Sequence, residues 1–198
     1  FINKTSDMEP LYPDYFGDPR ILICPADYMN ELSSTHLLER FTPDAFDPDK
    51  YSPEEFFEHS SYCYLGYRIG NDKEMRTFVK VYMERVALGL SFDTDLDVAP
   101  GTGTDGGNKL LRLRMPEVDY DKNSEEEQRA YWKFCNETPV MWDRCFLKED
   151  PEEPLFWHQP DGINVLFLDG HSEFIRYGEG RWPLTEETLR LFWELENL

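Results

Sequence analysis

The sequence predicts an α+β fold in one domain, residues 1–198, and three observations carry that expectation. Capped and amphipathic helical patterns occupy the middle of the chain. Two strand-like runs late in the chain meet across Asp169-Gly170. A helix with its own start signals closes the chain near Thr185. Helices and loops first, mainly antiparallel strands late and a closing helix make an α+β order.

Residues 1–20, rich in Pro, Asp and aromatics, read as an irregular lead-in. Residues 21–24 form an apolar run stopped by Pro25, which suits a strand end. Residues 28–40 carry a helical pattern. Ser52, Pro53 and Glu55 mark a helix start, because serine caps, proline suits the first helical position and glutamate completes a capping box. Residues 61–69 are aromatic-rich and read as a strand. The clearest helix covers residues 72–90. There Met75, Phe78, Val79, Tyr82, Met83 and Val86 recur at helical spacing and form one apolar stripe for a core.

Residues 91–108 are a loop by composition. A strand is predicted at 109–115, and a helix at 124–134, opened by the Ser124/Glu127 capping box. Residues 139–146 read as a strand. Residues 163–168 are apolar without alternation, so both faces of that strand should be covered. Residues 172–177 form its partner, and Asp169-Gly170 is the favoured two-residue hairpin turn, since both residues tolerate positive φ. Leu184 and Leu189 have the spacing of a hydrophobic staple, and Leu189, Phe192 and Trp193 continue one apolar face of the last helix.

Forty acidic residues against twenty basic ones give a formal charge of −20. Such a surface repels phosphate backbones and argues against a nucleic-acid partner. It argues equally against docking on anionic lipid through a basic patch. No run approaches the roughly 18 apolar residues that span a bilayer, and no signal peptide opens the chain at Phe1. Cys24, Cys63, Cys135 and Cys145 allow three pairings, and the sequence chooses among neither these nor four buried thiols. No CxxC is present, which argues against a zinc ribbon or a thioredoxin-like site.

Catalytic fingerprints are sparse. Residues 101–106 match GxGxxG by letter, but no strand precedes them and no helix begins on them. Asp105 would also set a negative charge beside a pyrophosphate. Asp93, Asp95 and Asp97 resemble the start of a calcium loop. Val98 stands where an EF-hand needs glycine and Thr104 where it needs glutamate, which excludes an EF-hand and leaves a calcium site of another kind. His158, Asp169 and His171 are the one group with the donor types of a metal or acid–base site. If they converged on an ion, a metal-dependent hydrolase would follow.

Four segments carry a family resemblance. Residues 158–171, from His158 through Asn164 to Asp169, Gly170 and His171, resemble the C-terminal "His, glycine turn, Asn-Val-Leu-Phe-x-Asp-Gly-His" signature of prepilin-type, pseudopilin-like proteins. These are relatives of the major G-type pseudopilin of type II secretion, abundant in planctomycete- and verrucomicrobia-type bacteria. Leu11-Tyr12-Pro13-Asp14-Tyr15 and the later Cys24-Pro25-Ala26-Asp27 resemble that family's "Leu-Tyr-Pro-x-Tyr … Cys-Pro-Ser-Asp" stretch. Ser60-Ser61-Tyr62 resembles its "Ser-Ser-Tyr" strand, and Pro139-Val140-Met141-Trp142-Asp143 its "Pro-Val-Met-Trp-Asp" segment. The matches occur in the family's order and span most of the chain. The spacing from His158 to Asp169 is one residue longer than the usual form, and residues 72–108 read as an insertion.

The resemblance implies a pilin-like head: a small antiparallel sheet with the His-to-Asp-Gly hairpin at its core, an inserted amphipathic helix and a closing helix. It implies a non-enzymatic structural subunit of a type II secretion or type IV pilus-like assembly, periplasmic or at the cell surface. The family's apolar N-terminal helix would precede residue 1, anchor the protein in the inner membrane and bind other pseudopilin subunits. Major pseudopilins often hold calcium in a loop, which again points to Asp93, Asp95 and Asp97. Two other functions stand beside this one. One is the hydrolase of His158, Asp169 and His171. The other is an extracellular module that grips glycans or a protein through Trp132, Trp142, Trp157, Trp182 and Trp193, although tryptophans are more often core.

Overall fold

The computed structural model describes residues 60–114, 123–147 and 154–196, together with Leu22, Cys24 and Ala26. The expected lead-in at 1–20 and the helical signals at 28–40 and around Ser52 lie outside the described residues. The described elements run β1 (Tyr62–Cys63), α1 (Asp72–Leu88), β2 (Leu96–Asp97), β3 (Lys109–Leu110), α2 (Glu125–Glu137), β4 (Pro139–Asp143), β5 (Phe146–Leu147), β6 (Pro154–Leu155), β7 (Gly162–Phe167), β8 (Ser172–Arg176) and α3 (Glu186–Glu196). Among the described residues three helices and a small antiparallel sheet make this the α+β class that the sequence predicts. Among the described residues no helix is long and apolar enough to cross a membrane.

The main sheet has the order β1-β4-β7-β8 and is antiparallel throughout. Cys63 pairs with Trp142 and Trp142 with Val165, and these residues are buried together with Ile163, Phe167 and Ile175. Side chains alternate across a strand, so Tyr62, Asp143 and Asn164 lie on the opposite face. That alternation corrects one expectation: β7 is not covered on both sides, because Leu166 is 38% exposed between buried Val165 and Phe167. Sequence alone misreads such a strand when its outward position holds an apolar residue.

α1 and α3 pack on each other, and both contribute to the same core as the inner face of the sheet. Met75, Phe78, Val79 and Tyr82 from α1 join Leu184, Leu189, Phe192 and Leu195 there. Residues of the 72–108 region thus contribute to the core. The apolar stripe of α1 is used only in part, through Met75, Phe78, Val79 and Tyr82. Met83 and Val86 are 40% and 52% exposed, so the stripe outruns the surface it covers. On α3, Leu195 is fully buried while Trp193 is 38% exposed, which moves the inward face off the expected tryptophan.

The helix signals are realised locally. Asn71 Oδ1 accepts from the Glu74 N–H at the start of α1. Ser124 and Glu127 form the reciprocal capping box of α2. Thr185 Oγ1 accepts from the Thr188 N–H at the start of α3, with Leu184 and Leu189 buried as the staple. α1 and α3 are tied at these starts, since Asp72 Oδ1 accepts from Thr188 Oγ1 at 2.8 Å and also from Thr185 Oγ1.

The 61–69 run is a strand only at Tyr62–Cys63. Gly66 takes φ 72°, the chain turns, and Tyr67 then bridges Arg112 outside the sheet. Leu22 sits in a 3-10 turn, not a strand end, and its carbonyl accepts from the Ser61 N–H at 2.8 Å. The 91–108 stretch is not all loop, since Leu96–Asp97 pairs with Lys109–Leu110. The β7–β8 connection is a three-residue turn. Phe167 N–H donates to the His171 carbonyl at 2.9 Å, Gly170 N–H donates to the Phe167 carbonyl, and Gly170 alone takes a positive φ, at 90°. That is the pattern of a turn closed by a left-handed glycine, in place of the expected two-residue turn.

Candidate functional site

His158, Asp143 and Cys24 meet on the face of the sheet opposite α1 and α3. Each is delivered by a different segment. Asp143 ends β4, pairs with Tyr62 across β1 and is 3% exposed. His158 is bridged to Gly162 at the start of β7, and its ring stands edge-on to Phe174. Cys24, also 3% exposed, is held near β1 through Leu22, whose carbonyl accepts from both Ser61 N and Ser60 Oγ.

His158 Nε2 lies 3.1 Å from Asp143 Oδ2 and 3.2 Å from Cys24 Sγ. All three donor atoms fall within 4.8 Å of one another. Asp143 Oδ2 is also fixed from behind, accepting from the backbone N–H of Asn164 at 2.7 Å and from Asn164 Nδ2 at 2.9 Å. Burial first, then the charges of Cys24 and Asp143, push the Tyr62 phenol up to about 12.

The shape of the group limits its chemistry. A thiol activated by histidine and acid needs the thiol on one ring nitrogen and the carboxylate on the other. Here both approach the same nitrogen, Nε2. A relay through the imidazole is therefore not built. What remains is a convergent set of one sulfur, one nitrogen and one oxygen.

The residues singled out from the sequence are placed elsewhere or in other company. Asp169 and His171 pair with each other at the tip of the β7–β8 hairpin, Oδ1 to Nδ1 at 2.6 Å. Hydrogen bonds from the His171 backbone and ring hold the Asp169 carboxyl below its usual range, and the His171 ring stacks on Phe167 at 4.5 Å. The hairpin tip is docked on the end of α2 by Leu168 N–H to the Thr138 carbonyl and Asp169 N–H to the Cys135 carbonyl. His158 stands at the other end of β7, about 20 Å away along a six-residue strand. The His158–Asp169–His171 convergence that a hydrolase would require does not form. Asn164 belongs to the His158 end and Gly170 to the tip.

Asp93, Asp95 and Asp97 each have their own partners. Asp93 Oδ1 accepts from Ser91 Oγ, and that hydrogen bond leads the lowering of its carboxyl pKa. Asp95 Oδ1 accepts from the Arg112 N–H at 2.8 Å and pairs with Arg114, and its carboxyl is lowered by the Arg112 bond first. Asp97 pairs with Lys109 at 3.4 Å. Among the described residues the one convergent group of three metal-type donors is Cys24, Asp143 and His158.

Among the described residues the cysteines are thiols rather than disulfides. Of the tryptophans, Trp142 and Trp157 are buried, and Trp182 packs edge-on against Trp142. Trp132 and Trp193 are exposed, but on different helices, α2 and α3. A groove of about 870 Å³ lies beside α3, lined in part by Asp72, Arg76, Glu187 and Arg190, and shares no residue with the Cys24 group.

The sequence reading missed the Cys24–Asp143 half of the site because it sought partners for His158 close by in the chain. A signal was present. Cys24, Asp143 and His158 each sit in a different one of the segments that carry the pseudopilin resemblance. Comparisons with protein-family models, with curated proteins and with solved structures find no match.

Proposed function

We propose that this chain is the water-facing head of a pseudopilin-like subunit, a structural part of a type II secretion or type IV pilus-like assembly rather than an enzyme. One observation carries the reading. The described parts of the segments that resemble the family are far apart in sequence and adjacent in space. The Cys24 segment hangs on β1 through Leu22, β1 pairs with β4, β4 pairs with β7, and His158 folds back over Asp143. Segments that share a motif because they share a fold are expected to touch in this way. The donor group they build has no relay geometry, which suits a head whose work is assembly.

In this reading the subunit reaches the inner membrane and its neighbours through an apolar helix ahead of residue 1. The test is the N-terminus of the native protein taken from its own cells. A mature chain in the membrane fraction that opens with an N-methylated residue and about 20 apolar residues supports the reading. A chain released by an ordinary signal cleavage, or one without such a segment, overturns it. Calcium at Asp93, Asp95 and Asp97 belongs to the same reading and requires Asp95 to exchange Arg114 for the ion. A calcium-dependent rise in Tm that Asp95→Asn abolishes supports it; no rise removes calcium from the reading.

A further inference from the structure

We infer that Cys24, Asp143 and His158 bind one divalent transition-metal ion of the zinc class, with its remaining position open on the His158 side. The inference goes beyond the pseudopilin reading and stands or falls apart from it.

The spacing is the first reason. A tetrahedral ion at ordinary zinc bond lengths sets its nitrogen and oxygen ligands about 3.3 Å apart, and nitrogen and sulfur about 3.5 Å. The observed separations are 3.1 and 3.2 Å, and the third pair lies within 4.8 Å. The two pairs that involve Nε2 need only a few tenths of an ångström of relaxation to admit an ion.

The second reason is the proton count. Sγ, Oδ2 and Nε2 are all metal-donor atoms and lie together. One Nε2 proton cannot point well at both the carboxylate and the sulfur, since hydrogen bonds weaken steeply away from linearity. A cation serves all three atoms at once.

The third reason is preorganisation. Asn164 holds Asp143 by two hydrogen bonds, and the Gly162 bridge and Phe174 hold His158. Ligand carboxylates in metal sites are oriented by this kind of outer support. The donor set also selects the ion. Thiolate and imidazole favour zinc, cobalt or nickel over calcium and magnesium, which require oxygen. Cys24 and Asp143 are buried, whereas the His158 side chain is 26% exposed, so solvent reaches the ion from that side.

The experiment titrates the 198-residue chain, freed of metal by chelator, with Co²⁺ as a spectroscopic probe and then with Zn²⁺. One equivalent of Co²⁺ should bind with a thiolate-to-cobalt charge-transfer band, and Zn²⁺ should displace it. The band should vanish in Cys24→Ser and persist in Cys135→Ala. His158→Gln, at a partly exposed position that leaves the core alone, should abolish tight binding without loss of the circular dichroism spectrum. Asn164→Ala should weaken binding about 10–100-fold. Wild-type protein that takes up no cobalt at micromolar metal overturns the inference. So does a charge-transfer band that survives Cys24→Ser, or unchanged affinity in a folded His158→Gln.

Discussion

Asn164 closes on Asp143 twice, through its backbone N–H at 2.7 Å and its side-chain Nδ2 at 2.9 Å, both to the same oxygen, Oδ2. β4 and β7 are thereby joined by a buried carboxylate as well as by their ladder. Hydrogen bonds to a charged group contribute about 1.5–3 kcal/mol when buried. Asn164 is exposed, so Asn164→Ala should cost less, about 1–2 kcal/mol in urea unfolding. Asn164→Asp should cost more at neutral pH, because it sets a second carboxylate beside Asp143, and the excess should shrink as the solution is acidified.

A second join lies at the helix starts, where Thr188 Oγ1 donates to Asp72 Oδ1 and Thr188 is fully buried. Thr188→Val keeps the shape and removes the donor. Asp72 keeps Thr185 as a partner, so the loss should be about 1–2 kcal/mol, read from the shift in urea midpoint at constant m-value.

Gly162 has a steric reason to be glycine. A Cβ there would fall on the Ile175 carbonyl and 2.7 Å from the Phe174 ring. Gly162→Ala should therefore push β7 off β8 and disturb the His158 bridge. The expected cost is about 1–3 kcal/mol, from overpacking. Gly178→Ala, where φ is 88° but no atom lies within 4 Å, tests backbone strain without the clash.

How far the sequence foretold this depended on how local the cause was. The capping box at Ser124, the staple at Leu184 and Leu189 and the β7–β8 hairpin are written in residues a few positions apart, and all three appear. What failed depended on surroundings. Leu166 and Val86 look like core residues, but whether an apolar side chain is covered depends on what lies across from it. The His158 group failed for the same reason, since Cys24 is 134 positions away and no periodicity connects them. Asp169 and His171 were plausible partners only because they were near in the chain.

The two ends of α1 should answer differently to truncation. Phe78 is fully buried among Tyr67 and Tyr82, and Phe78→Ala should cost about 3–5 kcal/mol. Val86 is 52% exposed and Leu88 72%, and Val86→Ala or Leu88→Ser should change stability by no more than about 0.5 kcal/mol. Thermal and urea unfolding of the three variants checks this. Equal costs at Phe78 and Val86 would mean that the far end of α1 is covered.

Alkaline pH gives the last prediction. The Tyr62 phenol is raised from 10.0 to about 12, chiefly by burial and then by the charges of Cys24 and Asp143. A phenol raised on folding keeps its proton longer in the folded than in the unfolded chain. Between these two values the folded state binds more protons, so stability falls as pH rises. The contribution is complete below pH 10 and is lost as pH climbs towards 12. Tyr64, Tyr67 and Tyr82 are raised as well, burial being the main cause for each, so they add to the same slope. Tyr62→Phe removes one titrating group and should flatten the decline across that window without abolishing it. Urea unfolding at stepped alkaline pH, with tyrosinate absorbance followed in parallel, reads both the slope and the loss of the late-titrating phenol. An unchanged slope in Tyr62→Phe would mean that the phenol titrates alike in the folded and unfolded chains.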